Sequence, residues 1–132
     1  SYLDGSLQSR EAAFRFQGQT VRWTYQWIDL DGVTVRWQED HLAEYDDQGW
    51  FRPRRQVTYF EDGSVSQSVE WTYDNQGRET GRVLQIFNAA GAETNRSEYS
   101  DYRYDGKKVE INGKDYTAGV LTEEYKVMRE YW

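Results

Sequence analysis

The chain contains no cysteine and only one proline, one methionine and one histidine among its 132 residues. The lack of cysteine excludes disulfide bonds, thiolate metal sites and a cysteine nucleophile. A single proline is too few for a proline-rich stalk or linker. No apolar run approaches the ~20 residues that a membrane-spanning helix needs, so we expect no membrane span in this segment.

Basic residues are in the minority, with 16 Lys and Arg against 23 Asp and Glu, which gives a net charge of -7. Because phosphate binding needs a positive field, we do not expect a nucleic acid as a partner. The one basic cluster is Arg52, Arg54 and Arg55 around Pro53. We interpret it as a charged strand edge that resists aggregation, with contact to an anion or an acidic partner as the alternative.

Aliphatic residues are also few. Hydrophobic residues make up 37% of the chain and aromatic residues 17%, so large rings supply much of the apolar surface. Aromatic side chains pack well on pleated sheets, which favours β-structure. The length predicts a single domain over residues 1–132. The chain begins at Ser1 without a hydrophobic signal region, so we expect a mature segment whose targeting sequence is out of view.

A turn pattern recurs at a constant spacing between residues 45 and 106. An aromatic residue precedes each turn glycine by four positions, in the pairs Tyr45/Gly49, Tyr59/Gly63, Tyr73/Gly77 and Phe87/Gly91. The spacing extends upstream to Phe14/Gly18 and Ile28/Gly32, and it drifts by one residue downstream to Tyr102/Gly106. Each repeat is long enough for one extended strand and a tight turn, so the pattern predicts strand–turn–strand architecture.

The segments between the turns alternate apolar and polar residues, as in Val21, Trp23, Tyr25 and Trp27. This period of two is typical of strands with one wet face. Short turns make successive strands antiparallel neighbours. We therefore predict an all-β fold: an up-and-down meander of about 8–10 strands, rolled or layered to cover its apolar face.

Two Gly-containing segments carry the strongest signals for two-residue hairpins. They are Tyr104-Asp105-Gly106-Lys107 and Ile111-Asn112-Gly113-Lys114. The C-terminal residues 119–132 favour a helical cap, because Leu121, Tyr125, Met128 and Trp132 follow helical spacing. A final strand through Tyr125 and Val127 is the competing interpretation.

The segments Tyr73-Asp74-Asn75-Gln76-Gly77-Arg78 and Tyr45-Asp46-Asp47-Gln48-Gly49 resemble the YD-repeat, or Rhs-type repeat, of bacterial surface and secreted proteins. Only the first segment matches the typical Tyr-Asp-x-x-Gly-Arg unit in full. The resemblance covers residues 45–106 and implies stacked hairpins and an extracellular or cell-envelope location. Small envelope lipoproteins with similar repeats are the nearer analogy, since long members form shells that need a longer chain.

The residues with catalytic or metal-binding chemistry fit structural roles better. His41 is the only histidine, and with no cysteine a zinc site would depend on carboxylates, so we expect a loop residue. Asp46, Asp47, Asp62, Asp74 and Asp105 stand in turns, where aspartate caps its own backbone. We expect no metal, no cofactor and no catalytic residue.

Trp50 stands out because the positions after the other turn glycines hold Val33, Ser64, Arg78, Ala92 and Lys107. Exposed aromatic residues beside arginines are favoured binding anchors, so Trp50, Phe51, Arg52, Arg54 and Arg55 are the candidate ligand-binding residues. The alternative is that Trp50 plugs the open end of the sheet.

Three functions remain open. The first is a non-catalytic domain of a bacterial envelope or secreted protein that binds protein or glycan through exposed aromatics. The second is a carrier of a small apolar ligand, held in a β-barrel cavity among Trp23, Trp27, Trp37 and Trp71, which otherwise form the core face. The third is a glycoside hydrolase with a carboxylate pair, for which no pair is marked in the sequence.

Overall fold

A computed structural model describes residues 2–3, 7–11, 15–17, 19–46 and 48–130. The strands are β1 (Tyr2–Leu3), β2 (Leu7–Glu11), β3 (Arg15–Gln17), β4 (Thr20–Asp29), β5 (Val35–Tyr45), β6 (Phe51–Tyr59), β7 (Val65–Tyr73), β8 (Glu79–Phe87), β9 (Glu93–Asp105), β10 (Lys108–Thr117) and β11 (Val120–Glu130). No helix occurs in this part of the chain. The all-β prediction is confirmed.

The eight long strands β4–β11 form one antiparallel meander, in which each strand pairs with the next along the chain. The short strands β2 and β3 pair with the outer side of β4, and β1 pairs with β2. Since successive strands run in opposite directions, successive turns lie at opposite ends of the sheet. A turn therefore returns to the same end only every second repeat.

The repeat in the sequence is the strand spacing. Strands β5, β6, β7 and β8 end at Tyr45, Tyr59, Tyr73 and Phe87, the aromatic residues that mark the repeat. The glycines that follow them adopt the left-handed backbone region, with φ of 86° at Gly49, 88° at Gly63, 79° at Gly77 and 87° at Gly91. Phe14 and Gly18, from the upstream end of the pattern, lie outside the described residues.

A β-bulge repeats beside three of these turns. In each case the third residue after the glycine has no partner in the ladder, and it is Ser66, Thr80 or Thr94. The hydroxyls of Ser66 and Thr94 donate to the carbonyls of Thr58 and Ile86, and that of Thr80 donates to Thr72 Oγ1. A bulge kinks a strand and increases its twist, so the same bend is imposed at these three repeats.

The C-terminal helix expected over residues 119–132 is wrong. Strand β11 runs beside β10 in antiparallel register, with Arg129 opposite Val109 and Tyr125 opposite Gly113. Tyr125 and Val127 are half-buried and the residues between and around them are exposed, which is the period of two typical of a strand. Burial of alternate residues against β10 outweighs the helical spacing of the apolar residues. Trp132 lies outside the described residues.

One of the two predicted hairpins is also wrong. Residues 106–107 turn the chain between β9 and β10 as expected. Strand β10, however, passes straight through Asn112-Gly113, and the chain turns instead at Ala118-Gly119, where φ is 50° and 82°. The ring of Tyr125 lies 2.5 Å from the position that a Cβ on Gly113 would occupy. Gly113 is thus needed for close packing and not for a turn.

The aromatic face predicted for Trp23, Trp27, Trp37 and Trp71 exists. Trp27 lies opposite Trp37. Trp23 pairs with His41, His41 with Gln56, and Gln56 with Val69, so these residues share one face. Trp71 is two residues beyond Val69 on β7 and lies on the same face. Among residues 19–46 and 48–130, however, few side chains are buried, and the apolar ones are Val21, Ile28, Ala43, Val109 and Ile111.

The surface is large for the mass. A globular monomer of 15.7 kDa is expected to expose about 7300 Å², whereas this chain exposes 8905 Å². A single sheet with few buried side chains among residues 19–46 and 48–130 agrees with this larger area.

Gly77→Val tests the turn geometry. The variant should lose on the order of 1 kcal/mol or more of stability, because a β-branched residue resists positive φ. Urea unfolding measures the loss. Gly91→Val is the matched control: it carries the same strain, but nothing lies within 4 Å of its Cβ position, whereas at Gly77 the guanidinium of Arg52 lies 2.7 Å away. Only Gly77→Val should alter the fluorescence of nearby Trp50. An unchanged unfolding midpoint in both variants would contradict this turn type.

Candidate binding site

The two ends of the sheet carry different turns. The turns after β5, β7 and β9 lie at one end, which we call the Trp50 end, and those after β4, β6, β8 and β10 lie at the other. The turns at 46–49 and 74–77 are therefore neighbours at the Trp50 end, although two full repeats separate them along the chain. Two cavities lie at this end.

The first cavity, the Trp50 cavity, has a volume of about 430 Å³ and lies between these two turns. Trp50 and the β6 residues Arg52 and Arg54 line one side of it, and Tyr73 and the turn 74–77 line another. Trp50 is 62% exposed, so it does not plug the sheet. Its backbone amide donates to Asp46 Oδ1, which fixes the base of the side chain while the ring stays open to solvent.

The five predicted binding residues divide into two groups. Trp50, Arg52 and Arg54 share the Trp50 cavity. Phe51 lies instead on the aromatic face, 6.0 Å from the ring of Trp23 and 5.7 Å from that of Tyr45. Arg55 is exposed farther along β6 and does not line the cavity. Alternation along β6 explains the separation of Phe51 from Arg52, because adjacent residues of a strand face opposite sides.

Both arginines of the cavity face carboxylates. Arg52 lies 3.4 Å from Asp46 and its guanidinium is 6.0 Å from the ring centroid of Tyr73. Arg54 lies 3.7 Å from Glu44. The Tyr73 hydroxyl donates to the carbonyl of Pro53 at 2.7 Å, and burial raises its pKa. The cavity thus presents an exposed ring beside fixed donors and acceptors of both charges.

The aspartates at the cavity rim hold the turns. Asp46 Oδ1 accepts from the amides of Gln48 and Trp50, as Asp74 Oδ1 does from Gln76 and Arg78. Burial pushes the Asp74 pKa upward, but the bonds from Arg78 and Gln76 outweigh it and the net pKa is lowered. The predicted capping role is confirmed for Asp46, Asp62 and Asp74; Asp47 lies outside the described residues.

A second cavity, the Tyr102 cavity, adjoins the first through Arg52 and Gly77, which line both. Its volume is about 380 Å³, and Tyr102, Tyr104, Val109 and Ile111 are among its lining residues. The Tyr102 hydroxyl donates to Glu79, and burial together with this bond raises the Tyr102 pKa. Arg78 stacks on Tyr104 with its guanidinium 4.8 Å from the ring centroid.

His41 is not the loop residue that the sequence suggested. It lies within β5, and its ring stacks on Trp23 with centroids 4.9 Å apart and an interplanar angle of 4°. Tyr25 meets it edge-on at 5.4 Å, and Nε2 lies 3.1 Å from Glu39 Oε2. These contacts give His41 a packing role on the aromatic face. No group of three or more His, Asp or Glu side chains in the described ranges is arranged to hold a metal ion.

Sequence reasoning did not find Tyr73, Asp74, Gln76 and Gly77 as neighbours of Trp50. The signal was present: in an antiparallel meander, features two repeats apart share an end of the sheet, so the turn at 74–77 adjoins the turn at 46–49.

Comparison with known proteins adds no family. No protein-family model matches the chain, and no curated protein gives a significant match. The YD-repeat resemblance therefore stays a prediction. Among the described residues, no helix is long and apolar enough to cross a membrane.

Asp74→Ala should destabilise the fold by about 1 kcal/mol at pH 7, because two backbone amides lose their acceptor. Asp74→Asn is the matched control, since Asn88 accepts from Ala90 and Ala92 in the equivalent turn. The folded pKa of Asp74 lies below its ordinary value of 3.8, so the charge stabilises the fold above that pH and this contribution is lost as the pH falls through the folded pKa. The difference in the free energy of unfolding between wild type and Asp74→Asn should therefore shrink in acid. Urea unfolding at several pH values measures it. Equal stability of Asp74→Ala and wild type at pH 7 would refute the capping role.

Proposed function

We propose that the chain is a non-catalytic binding domain of a bacterial envelope or secreted protein, and that it contacts a protein or glycan through the Trp50 end. The observation that carries the proposal is the 62% exposure of Trp50 beside a polar cavity of about 430 Å³. Exposing the apolar ring of a tryptophan to water is unfavourable in free energy, and contact with a ligand would bury that surface.

The lining of the cavity favours a glycan over a flat protein surface. Carboxylates, guanidiniums and the amides of Gln48, Asn75 and Gln76 surround the ring, and they supply donors and acceptors at short spacing. A saccharide presents both hydroxyls and an apolar ring face, which suits such a mixture. The volume is that of an ordinary small-ligand site.

Binding without turnover fits the state of the carboxylates. A general acid in a glycosidase needs a raised pKa, whereas the Asp74 pKa is lowered by its bonds to Arg78 and Gln76, which outweigh burial. The oxygens of Asp46 are occupied by two backbone amides and by Arg52. Glu44 faces Arg54.

Trp50→Ala should weaken glycan binding about five- to tenfold, the loss expected for one ring contact. Calorimetric titration of soluble bacterial cell-wall oligosaccharides measures it. Trp37→Ala is the matched control: Trp37 is also partly exposed, at 41%, but lies at the start of β5 near the opposite end. Equal binding by wild type and Trp50→Ala would contradict the anchor role.

A hydrolase substrate panel, run in parallel, tests the non-catalytic part. Turnover that disappears in Glu44→Gln, Asp46→Asn or Asp74→Asn would overturn it.

A further inference from the structure

Strand β11 leaves one side of its backbone unpaired. Within the described residues it pairs only with β10, from Val120 to Glu130 with one bulge at Thr122. Eleven residues make an edge of about 36 Å. Val120, Leu121 and Met128 on this strand are 64%, 48% and 63% exposed. An edge with free donors and acceptors and exposed apolar side chains is a template for another strand.

We propose that β11 is a self-association site, at which a second copy of the chain adds its own β11 antiparallel about a two-fold axis at Tyr125. The sheet of one copy would then continue into that of the other.

The register follows from the faces of the strand. Side chains alternate regularly between faces from Glu123 onward, so residues of this stretch that meet across the axis must both be even-numbered or both odd-numbered. A bulge leaves Thr122 without a partner in β10 and interrupts the alternation there. The Tyr125-centred register pairs residues 123–127 of the two copies without crossing this bulge. Registers centred on Glu124, Lys126 or Val127 place like charges opposite one another.

The charges complement each other in this register. Glu124 of one copy lies opposite Lys126 of the other, and the symmetry repeats the pair. On the other face, Arg129 lies diagonal to Glu123 of the second copy, within reach of a long side chain. Arg129 has no ion pair within the described residues, so this contact would supply one.

The packing of Tyr125 leaves room at the axis. Its ring lies over Gly113 on β10, and its hydroxyl bonds with Tyr99 and Asp115 farther into the sheet. The side chain therefore leans away from the open edge. A single added strand buries less than a standard interface, so we expect dissociation constants in the micromolar range or weaker.

Charge reversal tests the site by sedimentation equilibrium across the micromolar range. Glu124→Lys or Lys126→Glu alone should weaken dimerisation about tenfold or more, because like charges then meet across the axis. The double variant should return to near the wild-type constant. Within one chain, Glu124 lies 3.8 Å from Lys114, and Lys126 lies 3.4 Å from Glu110. Each charge reversal therefore also brings like charges together within the monomer. The double variant should therefore be the least stable to heat as a monomer, so recovery of the dimer cannot come from the fold.

A cysteine variant tests the axis without relying on charge. The chain has no cysteine, so Tyr125→Cys introduces one thiol, which in this register lies opposite its own copy at a separation that a disulfide accepts. Val127→Cys is the control, because it lies opposite Glu123. Under mild oxidation Tyr125→Cys should form covalent dimer much faster. A chain that stays monomeric throughout, a double charge variant that does not recover, or equal cross-linking of the two cysteine variants would each overturn the proposal.

Discussion

The aspartate- or asparagine-capped turn is the interaction on which this architecture depends. One side-chain oxygen accepts two backbone amides at Asp46, Asp74 and Asn88, and a left-handed glycine completes each turn. At the intervening turn Phe60 takes the same position, and Asp62 caps Ser64 instead. Because these turns fix where each strand stops, they set the spacing of the repeat. In a sheet with so little interior, such local bonds replace the specificity that a packed core usually supplies.

Side-chain stacking across the strands takes over part of the role of the missing core. Arg52, Arg82 and Arg96 lie over the rings of Tyr73, Tyr99 and Tyr116 at 6.0 Å, 5.7 Å and 4.3 Å. Long side chains of this kind cover apolar surface while their charged groups reach solvent or a carboxylate. This explains how a chain with 37% hydrophobic residues forms an eight-strand meander. It also explains the low aliphatic content, since rings and guanidiniums span the distance between neighbouring strands.

The sequence predicted the strands and turns well because their signals are local. Alternation marked the strands, and the aromatic-x-x-x-Gly spacing marked where β5–β8 end. The failures at Asn112-Gly113 and at residues 119–132 share one cause: both segments lie where Tyr125 packs on Gly113, a contact between strands that local patterns do not contain. The position of Trp50 after a turn glycine left both an exposed anchor and a plug open, and its 62% exposure in the structure excludes the plug. The neighbours of Trp50 could not be read locally, because they come from the turn at 74–77, two repeats farther along the chain.

Alternation of the turns between two ends gives the sheet two chemically different ends. The residue after each turn glycine is equivalent in every repeat, yet these residues divide by end. Trp50, Arg78 and Lys107 lie at the Trp50 end, and Val33, Ser64 and Ala92 lie at the other. Stability of the turns does not require this division, since the same backbone bonds form at both ends. Large and charged side chains at one end, and small ones at the other, fit the binding that we propose for the Trp50 end. The proposed dimer edge runs along β11 and reaches the Trp50 end at Arg129 and Glu130, which line the Tyr102 cavity.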